Sequence, residues 1–112
     1  MSGLSNDPPR PEIDRLIHEP ARLIIMANLY VVEEADFVYL TRLTALTPGN
    51  INSHMARLQA ADYVTVEKTF AANKPRTIYR ITTKGRAAIQ QYRQQVGNLL
   101  AQIEAPQANP RA

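Results

Sequence analysis

Residues Thr47 to Thr83 read TPGNINSHMARLQAADYVTVEKTFAANKPRTIYRITT, and the order of elements in that stretch decides the fold. Thr47 is a good N-cap and Pro48 a good first helical residue, since the donor that proline lacks would be unpaired there anyway. The spacing predicts a helix from Pro48 to about Ala61. Ile51, Met55 and Leu58 share one stripe of it, while Gly49, Asn50, Ser53, Ala56, Arg57 and Ala60 point away. Asp62 ends the helix and a strand begins at Tyr63, with Val64, Val66 and Phe70 on one face. Ala71 to Pro75 is the turn region, and Arg76 to Thr82 returns. Lys68 shares the parity of Val64 and Val66. Either the ribbon leaves the core there, or a bulge resets the alternation. Thr82 or Thr83 caps a further helix.

Toward the N-terminus, a helix is expected over Phe37–Ala45, with Phe37, Leu40 and Leu43 or Thr44 inward and Leu46-Thr47 as a tight turn. Glu33 to Asp36 reads as a turn. From Glu12 to Val32, apolar residues recur at three- and four-residue spacing, but Pro20 lacks an amide donor and interrupts them. The expectation is a short lead-in helix, a break near His18 to Pro20, and a main helix from Ala21 to Val32. Toward the C-terminus, Ile89, Tyr92, Val96, Leu99 and Ile103 form a heptad seam on a helix from Lys84 to about Glu104, and Leu100 broadens it. At 1.5 Å per residue that helix is roughly 30 Å long, more than so small a body needs. Residues 1–11 are expected to be a flexible arm, 12–104 one domain, and 105–112 a flexible tail. The fold class is mainly α with a small β-ribbon (α+β), in the layout of a winged helix-turn-helix with a long C-terminal dimerisation helix.

Composition narrows the chemistry. The 112 residues contain no cysteine, so disulfides, thiolate metal sites and cysteine nucleophiles are excluded. The start, MSGLSNDPPRPE, lacks a signal-peptide pattern. The longest apolar stretch, Leu23 to Val32, is interrupted by Asn28 and falls far short of the roughly 20 residues that span a bilayer. A cytoplasmic location without membrane partners is expected. Residues 1–36 carry seven acids against three arginines, whereas 57–93 carry eight bases against Asp62 and Glu67. Such segregation gives one pole a positive potential suited to a polyanion.

The helix over 48–61 carries small or amide side chains near its start, as entry into a major groove requires. Gly49, Asn50, Asn52 and Ser53 meet that need. Arg57 could reach a guanine edge or a phosphate, His54 a phosphate from the flank, and Thr47 with the helix N-terminus favours a phosphate as well. The ribbon tip joins Ala71, Ala72 and Asn73 to Lys74, Pro75, Arg76 and Thr77, and between Lys68 and Arg93 there is no acid. A wing over 70–77 would lie on the sugar-phosphate backbone or in the minor groove. Catalysis finds no support. Ser53 and His54 diverge by about 100° on a helix, His18 and His54 lack a carboxylate cluster, and no phosphate-binding glycine loop is present. No cofactor or metal is implied.

The string FVYLTRLTALTPGNINSHMARLQAADYVTVEKTFAANKPRTIYRITTKGRAAI resembles the MarR/ArsR-like winged-helix transcriptional regulators, closest to their compact winged-helix DNA-binding domain subgroup. The resemblance covers roughly Ile17 to Tyr92. It implies a homodimer on an inverted-repeat operator, built largely from the first and last helices. Ile13, Leu16 and Ile17 would then meet a partner together with Tyr92, Val96, Leu99, Leu100 and Ile103. It also implies that Asn50, Asn52, Ser53, His54 and Arg57 belong to the recognition helix, and Lys74 and Arg76 to the wing. Metal-sensing cysteines are missing, and the terminal elements are short for a family effector pocket, so no small-molecule effector is assigned. The expected function is sequence-specific binding of double-stranded DNA by a homodimeric transcriptional regulator. A protein-binding winged-helix module is the alternative. RNA binding is disfavoured, because few exposed aromatics are available for stacking.

Overall fold

The computed structural model describes residues 12–104, so the arm expected over 1–11 and the tail over 105–112 lie outside it. Its elements are α1 (Pro20–Val32), β1 (Glu34–Asp36), α2 (Phe37–Thr44), α3 (Pro48–Ala60), β2 (Val64–Ala71), β3 (Lys74–Ile81) and α4 (Thr83–Glu104). The expected mixed α and β class and long last helix are both present.

The chain breaks at His18 and Glu19, close to where expected, and α1 starts one residue earlier than expected, with Pro20 as its first residue. Glu19 is extended, as a residue before proline prefers, and its carboxylate caps the helix by accepting from the Arg22 amide at 2.8 Å. The expected lead-in helix is a single turn, closed by the His18 amide on the Asp14 carbonyl at 2.8 Å. Asp14 anchors that turn. Its carboxylate accepts from the Leu16 and Ile17 amides and from the Tyr63 hydroxyl at 2.6 Å, and its own amide donates to Gln95 of α4.

A second difference is β1, which replaces the turn expected at Glu33 to Asp36. It pairs antiparallel with β3 (Glu34 with Arg80, Ala35 with Tyr79, Asp36 with Ile78), giving a three-stranded sheet in the order β1-β3-β2. The β2–β3 register runs unbroken from Val64 opposite Ile81 to Ala71 opposite Lys74. No bulge intervenes, so Lys68 is wet because the ribbon leaves the body. The turn is two residues long, Ala72 and Asn73, both with positive φ (51° and 63°), as a type I′ hairpin requires.

Ile17, Ile25, Met26, Leu29, Leu40, Ile51, Met55, Leu58 and Val64 form the fully buried centre. α4 begins where Thr82 accepts from the Gly85 amide at 2.9 Å and donates to the Asp62 carbonyl at 2.6 Å, which makes Thr82 the cap.

Candidate nucleic-acid interface

The sequence of α3 fixes which of its sides is available. Ile51, Met55 and Leu58 are buried, so at about 100° per residue Gly49, Ser53, Ala56 and Ala60 stand opposite them. Asn52, Ala56 and Gln59 lie on the flank toward the wing, and Asn50 and Arg57 on the flank toward α1. Thr47 caps the helix, accepting from the Asn50 amide at 3.3 Å. A side chain at Gly49 would meet nothing within 4 Å. The protein itself therefore does not use the missing Cβ, and an external backbone can come close.

Between α3 and the wing runs an open groove of about 520 Å³, lined on one side by Asn52, Ala56 and Gln59 and on the other by Val66, Lys68 and Thr77. Strand alternation explains the second wall. Val66, Lys68 and Phe70 share a face with their cross-strand partners Tyr79, Thr77 and Pro75. Among the expected site residues, the structure thus brings Asn52, Lys68 and Thr77 onto one surface, with Gly49 and Ser53 adjoining. Ala56 and Gln59 complete it; the sequence reading had assigned neither.

Two expected contacts are redirected. Arg76 lies on the opposite face of the ribbon, where its Nε sits 3.3 Å from Asp36 of β1. Arg80 on that face bonds Glu67 and Glu34, which hold its pKa above the ordinary arginine value. Arg86 likewise meets Glu33 at 3.4 Å. The basic pole of the sequence is therefore partly neutralised in space, because β1 carries its acids onto the ribbon. Lys74 shares the face of Arg76 by parity but sits beside the turn, as does Asn73. Among the described residues, no carboxylate lies within ion-pair distance of Arg57, Lys68 or Lys74.

His54 is also redirected. It is half-buried against α1, with Nδ1 3.0 Å from Nη1 of Arg22 and 3.9 Å from Glu19. A guanidinium only donates, so Nδ1 accepts and the ring proton is assigned to Nε2. This histidine ties α3 to α1.

The second expected surface is altered as well. Ile17 and Tyr92 belong to the protomer's own core, Tyr92 with its hydroxyl 2.8 Å from His18 Nδ1, so neither is an open contact residue. Ile13, Leu16, Val96 and Leu99 are half-buried, whereas Leu100 and Ile103 are 53% and 77% exposed. An apolar groove of about 500 Å³ lies between Leu23, Ala27 and Tyr30 of α1 and Ile89, Val96 and Leu100 of α4. Beside it α1 exposes Pro20, Ile24 (45%), Ala27 and Val31 (78%), a ridge absent from the expected contact set. Its signal was present, since Arg22 is the sole charge in thirteen residues of α1. Gly97 on the groove meets nothing within 4 Å, although a glycine inside a helix costs about 1 kcal/mol relative to alanine.

Comparison with known proteins agrees with this architecture. Residues 21–100 match the family model described as a winged helix DNA-binding domain. An uncharacterised protein of Methanocaldococcus jannaschii is 32% identical over 90 residues, which is 80% of this chain and 98% of that one. A transcriptional regulator homologue from Pyrococcus horikoshii OT3 superposes with a TM-score of 0.76 at 27% identity, covering 82% of this chain and 91% of the other. A MarR variant from E. coli, solved with operator DNA, shares the fold at a TM-score of 0.58 and 22% identity, covering 80% and 69%. No helix among the described residues is long and apolar enough to cross a membrane.

Proposed function

The chain belongs to the winged helix DNA-binding domain family and is a DNA-binding regulator of that kind, and from this premise we propose that it works as a homodimer on specific double-stranded operators. The observation that carries the reading is the groove shared by Asn52, Ala56 and Gln59 of α3 with Lys68 and Thr77 of the wing, bordered by the uncovered Gly49 and Ser53. Around it Arg57, Lys68 and Lys74 supply cations that no carboxylate among the described residues neutralises. α3 lies in the major groove with its N-terminal turn and wing-side flank toward the base edges. The wing crosses the neighbouring phosphates.

The partner copy covers the α1–α4 groove. Ile24, Val31, Leu100 and Ile103 are exposed beside it, and Gly97 permits a close approach. Two recognition helices then meet half-sites about one DNA turn apart, roughly 34 Å.

Selection of bound duplexes from a random pool tests the reading, with paired half-sites as the expected product. On the selected site, Asn52→Ala, on the flank turned toward the base edges, relaxes base preference at one position per half-site, with a loss of about 1–3 kcal/mol. Lys74→Ala weakens all duplexes alike and lowers the salt slope by about one. The ion-paired outer face of the wing is the feature that favours a protein-docking module instead. Binding to duplex DNA without salt dependence, or none at all, would decide for that alternative.

A further inference from the structure

We propose that Phe70 is an apolar wedge with which the wing probes the minor groove beside the site of α3, an inference that rests on the duplex-binding reading above. Phe70 is 74% exposed, although large apolar side chains on an open ribbon invite aggregation. Among the described residues, the exposed aliphatic side chains Ile24, Val31 and Val32 lie on α1, Leu100 and Ile103 on α4, and Val38 on α2. Phe70 stands apart from them, one residue before the last of β2, with Pro75 opposite it across the hairpin. The pair makes the end of the wing apolar on one face.

That face is the one turned toward α3. The β2–β3 register is uninterrupted, so Phe70 continues the row of Val66 and Lys68, which line the groove with Asn52 and Gln59. Four residues of strand carry it roughly 13 Å beyond Val66. Adding about 5 Å for the half-width of a helix gives roughly 18 Å. Half a DNA turn, the step from a major groove to the next minor groove, is about 17 Å. With α3 seated in the major groove, the reach of the wing matches the distance to the adjacent minor groove.

Charge favours the same occupant. Lys68 lies two residues back on this face and Lys74 beside the turn, whereas Glu67 and Asp36 sit on the opposite face, held by Arg80 and Arg76. A phenyl ring cannot read hydrogen-bonding edges. It discriminates by groove width and by how easily a base step opens, and the 2-amino group of guanine in the groove floor obstructs it.

The test uses the full chain and its selected operator, with the base pairs beneath the wing set to A·T, G·C or inosine·C, the last lacking the 2-amino group. Affinities are read by fluorescence anisotropy for wild type, Phe70→Ser and Phe70→Leu. Wild type should favour A·T and inosine·C flanks over G·C by about tenfold, a typical magnitude for one aromatic–base contact. Phe70→Ser should bind all three alike, and Phe70→Leu should keep most of the preference. Thermal melting of Phe70→Ser should match wild type, since the side chain is not part of the core. The wedge is overturned if wild type is indifferent to the flanks, or if Phe70→Ser retains the preference. It is overturned too if Phe70→Ser shifts the sedimentation of the free protein, which would assign the ring to a contact between copies. Those outcomes leave duplex binding standing, whereas a wild type that binds no duplex removes both readings.

Discussion

Gly85 shows what one missing methyl does in this fold. A Cβ there would lie 2.2 Å from the Tyr63 carbonyl oxygen, a backbone atom that also accepts from the Thr82 amide. α4 can approach the α3–β2 junction only because that carbon is absent. Gly85→Ala should destabilise by about 2–3 kcal/mol, measured by urea unfolding, since overpacking against backbone cannot relax. Tyr63 itself is linked to pH. Burial and the hydrogen bond to Asp14 push its pKa up from 10.0 to about 12. The folded state therefore retains a proton that the unfolded chain gives up near pH 10. This stabilisation is complete below pH 10 and fades as pH rises toward 12. In melting curves taken from pH 9 to 12, Tyr63→Phe should flatten the decline. A residual slope should remain, because burial raises the Tyr79 pKa in the same direction. Residue identity was legible in the sequence where periodicity governs it, as for Ile51, Met55 and Leu58. It was not legible where another element chooses the neighbour. His54 and Arg76 have the right chemistry for phosphate, yet Arg22 and Asp36, 32 and 40 residues away, claim them.

Single elements depend on their ends. Thr82 terminates β3 and starts α4 through one hydroxyl that both accepts and donates. Thr82→Ala should cost about 1–2 kcal/mol, seen as a lower urea midpoint with an unchanged slope. Thr82→Ser should recover most of that loss. The helices and the ribbon were readable because caps, prolines and repeat spacing are local signals. β1 was not: three residues, two of them acidic, carry no alternation, and their strand character comes wholly from pairing with a segment more than forty positions later. That pairing also explains why charge counted along the chain overstated the positive pole. The acids of Glu34 and Asp36 are delivered to Arg80 and Arg76 by the sheet.

At the scale of the molecule, the described residues leave open a polar, cationic surface beside α3 and an apolar one between α1 and α4. On the paired reading proposed above, Ile24→Glu or Leu100→Glu should yield a monomer in sedimentation and weaken binding to a two-half-site operator at least tenfold, because the second half-site no longer adds its contacts. Asp14 ties the α3–β2 junction to α4, since its carboxylate accepts from the Tyr63 hydroxyl and its amide donates to Gln95. The greasy ridge of α1 has a consequence for dosage. If only the pair holds an operator, occupancy at low abundance climbs with the square of the number of copies rather than in proportion to it. Doubling synthesis then quadruples the bound fraction, and a gene under such control answers to a threshold, not a gradient.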